Sequence, residues 1–153
     1  MNAPITAPGE ILTVAAERGQ SRSLPYAGAV TPREAHRLFA AHGAKIVDVR
    51  SKFEYEHIGR VPGSMLIIWK HWPGGEFNPR FLAELQRHCA PQDVVLFLCR
   101  SGVRSHSAAA VAAQAGYVQA FNILEGFEGD LDAQQQRGRE GGWRLADLPW
   151  IQS

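Results

Sequence analysis

Between residues 10 and 18, Ile11, Leu12, Ala15 and Ala16 recur on one face at helical spacing, which predicts a short amphipathic helix. Residues 19–29 are rich in turn formers and read as a connector laid over the core. Thr31-Pro32-Arg33-Glu34 marks a helix start: a threonine that can cap, a proline suited to the first helical position, and a glutamate three residues after the cap. Leu38 and Phe39 then face inward, and Gly43 ends the helix. Residues 45–49 read as a strand, 53–58 as a short helix and 65–68 as a second short strand, followed by an aromatic, Gly- and Pro-containing loop over 69–78. Residues 79–89 form a helix with Phe81, Leu82 and Leu85 inward. The unbroken apolar run Val94-Val95-Leu96-Phe97-Leu98 reads as a fully buried strand, and the alanine-rich stretch 105–115, closed by Gly116, as a helix. Residues 119–124 give the next strand and 126–131 a helical turn. The polar, glycine-rich tail 133–142 leads to a segment, 143–150, that packs back onto the body. Residues 1–8 are expected to be disordered.

Strands alternating with helical patterns predict a single α/β domain, a central mostly parallel sheet flanked by helices. The length of 153 residues fits one domain with a normal core, and neither repeats nor a second domain are visible. A hydrophobic content of 45% and a charged content of 20% are those of a soluble globular chain. The net charge of +1 argues against a globally basic nucleic-acid binder. No apolar stretch is long enough for a bilayer, and the first residues lack the basic and apolar regions of a signal peptide. Two cysteines are too few for a disulfide framework and no Cys/His cluster has zinc spacing, so a reducing, cytoplasmic compartment is expected, with no metal or organic cofactor implied.

Cys99 falls where the buried strand hands over to the alanine-rich helix, in the run Cys99-Arg100-Ser101-Gly102-Val103-Arg104-Ser105. Ligands of parallel sheets bind beyond the carboxyl ends of the strands, which is where this cysteine lies. A cysteine at a helix N-terminus has its thiolate stabilised by the helix dipole and by unpaired N–H groups, and Arg100 and Arg104 add positive charge. Gly102 lets the backbone fold tightly over a bound atom, and Ser101 and Ser105 can donate hydrogen bonds or, at Ser105, cap the helix. The plain alternative is a buried structural cysteine, against which two arginines within five residues argue. The chemistry favoured is a thiolate that attacks or holds a small anionic species.

From about Tyr26 to Trp150 the sequence resembles a rhodanese domain. The resemblance rests on Val47-Asp48-Val49-Arg50, His57-Ile58-Gly59-Arg60-Val61-Pro62-Gly63-Ser64, the cysteine loop, and Gly142-Trp143-Arg144 with Leu148-Pro149. It divides the chain into an N-terminal extension with a short helix, 1–25, and a rhodanese-like domain, 26–150. It implies that Cys99 takes the outer sulfur of a donor such as thiosulfate as a persulfide and passes it to a thiol, protein or cyanide acceptor, in two covalent half-reactions. Arg100, Ser101, Gly102, Val103, Arg104 and Ser105 would bind the substrate. Their N–H groups would surround the persulfide, and Arg100 and Arg104 would orient the sulfonate, unless one of the two turns toward the protein body. The implied partners are small-molecule sulfur donors and a thiol or protein acceptor, with no nucleic acid and no membrane. Where Gly-Leu-Pro often occurs near the end, this chain has Asp147-Leu148-Pro149, a departure that concerns tail packing. Cys99 to Arg104 is C-x4-R, whereas phosphatases and arsenate reductases of related fold use C-x5-R, a wider loop for a tetrahedral oxyanion. Those activities and a non-catalytic interaction domain are the alternatives.

Asp48 and Arg50 are expected to support the site, either by shaping its rim or, more simply, as a buried pair that fixes the following helix together with Glu54. His57 reads as a structural hydrogen-bonder. His106, just after the loop, reads as an exposed residue or one that tunes the cysteine. Trp69, His71 and Trp72 form a packing cluster or a binding surface. Cys89, ending a helix before Pro91, is inert or resolves the persulfide as a disulfide with Cys99.

Overall fold

A computed structural model describes residues 7–153, so most of the segment expected to be disordered lies outside the described residues. In chain order the elements are α1 (Pro8–Ser21), β1 (Gly28–Val30), α2 (Pro32–Ala41), β2 (Lys45–Asp48), a π-helical turn (Glu54–Ile58), β3 (Met65–Leu66), α3 (Phe81–His88), β4 (Val95–Leu98), α4 (Val103–Gln114) and β5 (Ala120–Ile123). The five strands form one sheet in the order β1-β5-β4-β2-β3, and every pairing is parallel.

This order creates the crevice that a site needs. The chain leaves β2 toward β3 on one side and leaves β4 toward β5 on the other, yet β2 and β4 are neighbours. Connections that diverge from adjacent parallel strands open a cleft beyond their carboxyl ends. The register Asp48↔Leu98 brings the segment after β2 and the segment after β4 out side by side at that cleft.

The strands are short and apolar because both faces are covered. Alternation along β4 sends Leu96 and Leu98 into a core with Ile11, Ala15, Leu38 and Trp143, and sends Val95, Phe97 and then Cys99 into the opposite core with Phe81, Leu85 and Ala108. The side of the sheet on which Cys99 lies is thus set by the two-residue period of the strand before it.

α2 starts as its sequence predicts. The Thr31 hydroxyl accepts from Glu34 N–H at 3.2 Å, and the Glu34 carboxylate accepts from Thr31 N–H at 2.8 Å. The same carboxylate takes Arg18 of α1 at 2.6 and 3.0 Å, tying α1 to the body. α1 differs from expectation. It begins at Pro8, an expected disordered position, and runs to Ser21, burying Ile11, Ala15 and Gly19 while Ala16 is exposed. Gly19 and Gly28 allow the helix backbone to lie directly on β1, since a Cβ on either would collide with backbone carbonyls of Ala27 or Ala15. The expected connector therefore shrinks, and its last residues are strand β1. α4 begins two residues early, at Val103, and residues 124–128 form turns in place of a helix. No helix among the described residues is long and apolar enough to cross a membrane.

Candidate active site

Gly102 makes the turn out of β4. With φ at +107° it occupies a region that side-chain-bearing residues avoid, and it is the N-cap of α4. Its N–H donates to Cys99 Sγ at 3.0 Å. Of the two roles expected of Ser105, the structure shows the hydrogen-bond donor and not the cap: it lies within the first turn of α4, fully buried, with Oγ 3.2 Å from Sγ. The backbone N–H groups of Arg100, Ser101, Val103, Arg104 and Ser105 find no acceptor among the described residues, as at the open start of any helix. Cys99 is 1% exposed, but its sulfur rests against polar donors rather than in an apolar hole.

The Ser105 hydroxyl lies 2.6 Å from Asn122 Oδ1, and Asn122 Nδ2 donates to Gly102 O at 3.2 Å. A hydroxyl has one proton, so Ser105 donates either to Asn122 or to Sγ, and a negative sulfur draws it to Sγ. Asn122 in β5 thus positions both donors that face the sulfur. It was not singled out in the sequence, although a buried asparagine within the run Ala120-Phe121-Asn122-Ile123 is the signal that was there. The turn after β5 holds the loop from below. Phe127 N–H donates to Cys99 O at 2.8 Å, and Glu128 N–H to Arg100 O at 2.9 Å. Gly126 makes this approach possible, since a Cβ there would sit 2.5 Å from the Arg100 carbonyl carbon.

The two loop arginines part company. Arg104 turns toward the body and grips both Glu54 oxygens at 2.9 Å. Burial raises the Glu54 carboxyl, but the Arg104 guanidinium and the Ser51 donors outweigh it and bring the group down to about 2. Glu54 therefore serves Arg104 and not Arg50. Arg100 is exposed at the mouth, with no carboxylate partner among the described residues. Ser101 and Val103 make no side-chain hydrogen bond, and Val103 is 72% exposed.

Asp48 and Arg50 form a completely buried pair at 2.7 Å. Arg50 also donates to Gly59 O at 2.6 Å and lies 4.5 Å over the Phe127 ring, so it clamps the π-helical turn and the post-β5 turn to the end of β2. Its remaining terminal nitrogen has no hydrogen-bond partner among the described residues.

Other candidates fall away from the sulfur. His57 is exposed and packs against Phe53 at 5.0 Å; its ring makes no hydrogen bond among the described residues, and only its carbonyl accepts one, from Gln152 Nε2 at 2.7 Å. His106 is exposed, and its Nδ1 meets Tyr26 Oη at 2.7 Å. Burial raises the Tyr26 phenol. The aromatic loop divides. Trp69 is buried, edge-on to Phe77 and Phe81, whereas His71 and Trp72 are exposed. Cys89 is free and buried, and burial pushes its thiol up. It lies with Lys45 and Asp93 near the amino ends of β2 and β4. The four residues of β4 thus put about 13 Å between it and Cys99, too far for a disulfide. The described residues contain no cluster of His, Cys, Asp and Glu that could hold a metal ion.

A cavity of about 510 Å³ opens over this end of the sheet, reached by Ser51, Phe53, Glu54, Trp72, Arg100 and Arg104 among others.

A family model described as a rhodanese-like domain matches residues 31–133. The crystal structure of Rv0390 from M. tuberculosis is similar to the chain at 41% sequence identity and a TM-score of 0.74, covering 84% of this chain and 99% of that one. A human single-domain sulfurtransferase, TSTD1, is 26% identical, with a TM-score of 0.50 over 65% of this chain and 90% of its own. Protein RC0915 of Rickettsia conorii is 31% identical over 116 residues, 74% of this chain and 87% of that protein.

Proposed function

We propose, since this chain belongs to the rhodanese-like domain family, that it is a sulfurtransferase whose Cys99 carries one sulfur atom between two small substrates. The thiolate attacks the outer sulfur of thiosulfate. A bond forms between Sγ and that sulfur, the sulfur–sulfur bond of thiosulfate breaks, and sulfite leaves with the electron pair. The terminal sulfur of the persulfide is then attacked by an acceptor thiolate or cyanide, and Cys99 departs as the thiolate. Gly102 N–H and the Ser105 hydroxyl stabilise the negative sulfur at the start and end of each cycle, and the unbonded N–H groups at the start of α4 are donors for the outer sulfur. Arg100 binds the sulfonate of the donor, with Ser101, Gly102 and Val103 as the backbone wall and Arg104 held in place by Glu54.

One observation carries this reading over phosphate or arsenate chemistry. Arg104 ends a C-x4-R loop and is bound by both nitrogens to Glu54, so it does not offer the free fork that a tetrahedral oxyanion needs. The sulfur donors instead come from within the loop. A reducing, cytoplasmic setting is the one that keeps the Cys99 thiol available for this chemistry. Residues 26–150 would form the catalytic body, with 1–25 as its extension.

Initial rates of thiocyanate formation test this directly. Varied thiosulfate and cyanide should give parallel double-reciprocal lines, abolished by Cys99→Ser. Cys99-dependent hydrolysis of an aryl phosphate, with no thiocyanate formed, would replace the proposal.

A further inference from the structure

The cavity beside the cysteine loop, lined by Arg100 and Arg104 but not by Cys99 itself, is much larger than the donor requires. Its volume of about 510 Å³ lies in the range that encloses an organic ligand, whereas thiosulfate is a single small anion. Two features of its lining say what else it fits.

The first is aromatic. Phe53 and Trp72 stand at the rim, 60% and 77% exposed, and Ile58, at the end of the π-helical turn that Phe53 caps, also lines the cavity. Trp72 is not on a slack segment. Its loop is closed by the Lys70–Phe77 bridge and anchored by Trp69, which is 6% exposed and edge-on to Phe77 and Phe81. A large apolar ring presented to water on a braced loop is a ready face for another ring.

The second is charge. Arg104 and Glu54 neutralise one another, and Glu128 lies 3.6 Å from Arg144. Arg100 and Lys70 have no carboxylate partner among the described residues, and Arg137 donates only to the Gly129 carbonyl at 2.8 Å. Three cations in the lining are thus left without an anion. Arg100 serves the sulfonate in the first half-reaction, and Lys70 and Arg137, which the donor does not use, remain for an anionic group on the second substrate.

We propose that the acceptor is a small aromatic thiol bearing a carboxylate, its ring against Phe53 and Trp72 and its carboxylate on Lys70 and Arg137. This rests on the sulfurtransferase reading and specifies its second half-reaction. The acceptor thiolate attacks the outer sulfur of the Cys99 persulfide. The bond between Sγ and that sulfur breaks, Cys99 leaves as thiolate, and the acceptor becomes an aryl persulfide. No oxidant or reductant is needed.

The test loads the full-length protein from thiosulfate, confirms one added sulfur by intact mass, and mixes it with three thiols. These are 4-mercaptobenzoate, 4-mercaptobenzamide (ring, no charge) and 3-mercaptopropionate (charge, no ring). Each discharge rate is divided by that thiol's rate with a small-molecule persulfide in free solution. The expected result is a normalised rate for 4-mercaptobenzoate at least tenfold above both others. Trp72→Ala should erase its advantage over 3-mercaptopropionate, and Arg137→Gln with Lys70→Gln should erase its advantage over 4-mercaptobenzamide. Equal normalised rates on loaded wild-type protein would overturn this inference and leave the sulfurtransferase reading standing, as would a preference that survives Trp72→Ala. Failure of thiosulfate to load the protein would overturn both.

Discussion

Replacing Glu54 by glutamine should remove a pH-dependent share of the stability. Both carboxylate oxygens of Glu54 are held by Arg104 at 2.9 Å, and one also accepts from Ser51 N–H and hydroxyl at 3.1 and 3.0 Å. The group titrates at about 2 when folded, against an ordinary value of 4.5. A carboxyl depressed to that extent contributes about 3 kcal/mol, since each tenfold in proton affinity is worth about 1.4 kcal/mol. The folded value is the lower one, so the contribution is fully present above about pH 5. It disappears as the pH falls from 5 toward 2. Urea unfolding of wild type and Glu54→Gln at pH 7, 5, 4 and 3 isolates this contribution, because Glu34, which burial raises but Arg18 and Thr31 bring down, and Asp93, lowered by the Ala90 N–H and by Lys45, are common to both proteins and cancel. The wild type should be the more stable at neutral pH, by an excess that shrinks by about 2 kcal/mol down the series, since at pH 3 the folded carboxylate is still mostly ionised. A difference that stays constant between pH 7 and 3 would refute the reasoning, since it would mean that the ionised carboxylate gains nothing from Arg104.

Ser105→Ala deletes a hydroxyl 3.2 Å from the sulfur, and a hydrogen bond to a charged group is worth about 1.5–3 kcal/mol. kcat/KM for thiosulfate should fall about ten- to a hundredfold while urea unfolding shows a folded protein; an unchanged kcat/KM would remove Ser105 from the site. Arg50→Met leaves Asp48 buried and uncompensated and should destabilise by about 3–5 kcal/mol, whereas adding Asp48→Leu should recover much of the loss in the same urea titration. Asp147 sits at φ +59°, in the left-handed region that favours glycine. Asp147→Gly relieves left-handed strain at some entropic cost and should stabilise by about 0.5–1 kcal/mol, read as a small rise in Tm.

The cysteine loop could be read from the sequence because its parts are contiguous. A buried strand, a glycine that can turn the chain and a helix follow one another without a gap, and the two-residue period of β4 fixes the side on which Cys99 emerges. β1 could not be read, because Gly28-Ala29-Val30 has no strand pattern of its own and exists through pairing with Phe121, Asn122 and Ile123. The sequence leaves Ser105 two roles, cap or hydrogen-bond donor, because serine favours both. Gly102 took the turn, moving the helix start to Val103 and Ser105 onto the buried face. The partner of Arg104 was hidden for a different reason. Glu54 is fifty residues away in the chain, and only the parallel register of β2 with β4 brings the two together. Asn122 and Gly126 act through backbone approach and a shared proton, relations between chain segments that no local pattern encodes.

Sulfur transfer by this chain requires that Cys99 hold a single transferable sulfur. Intact-mass spectrometry of the protein after brief exposure to thiosulfate, with Cys99→Ser alongside, addresses it most directly. Wild type should gain the mass of one sulfur atom and lose it on addition of cyanide, while Cys99→Ser stays unchanged. An unchanged wild-type mass, or an equal gain in Cys99→Ser, would contradict the account.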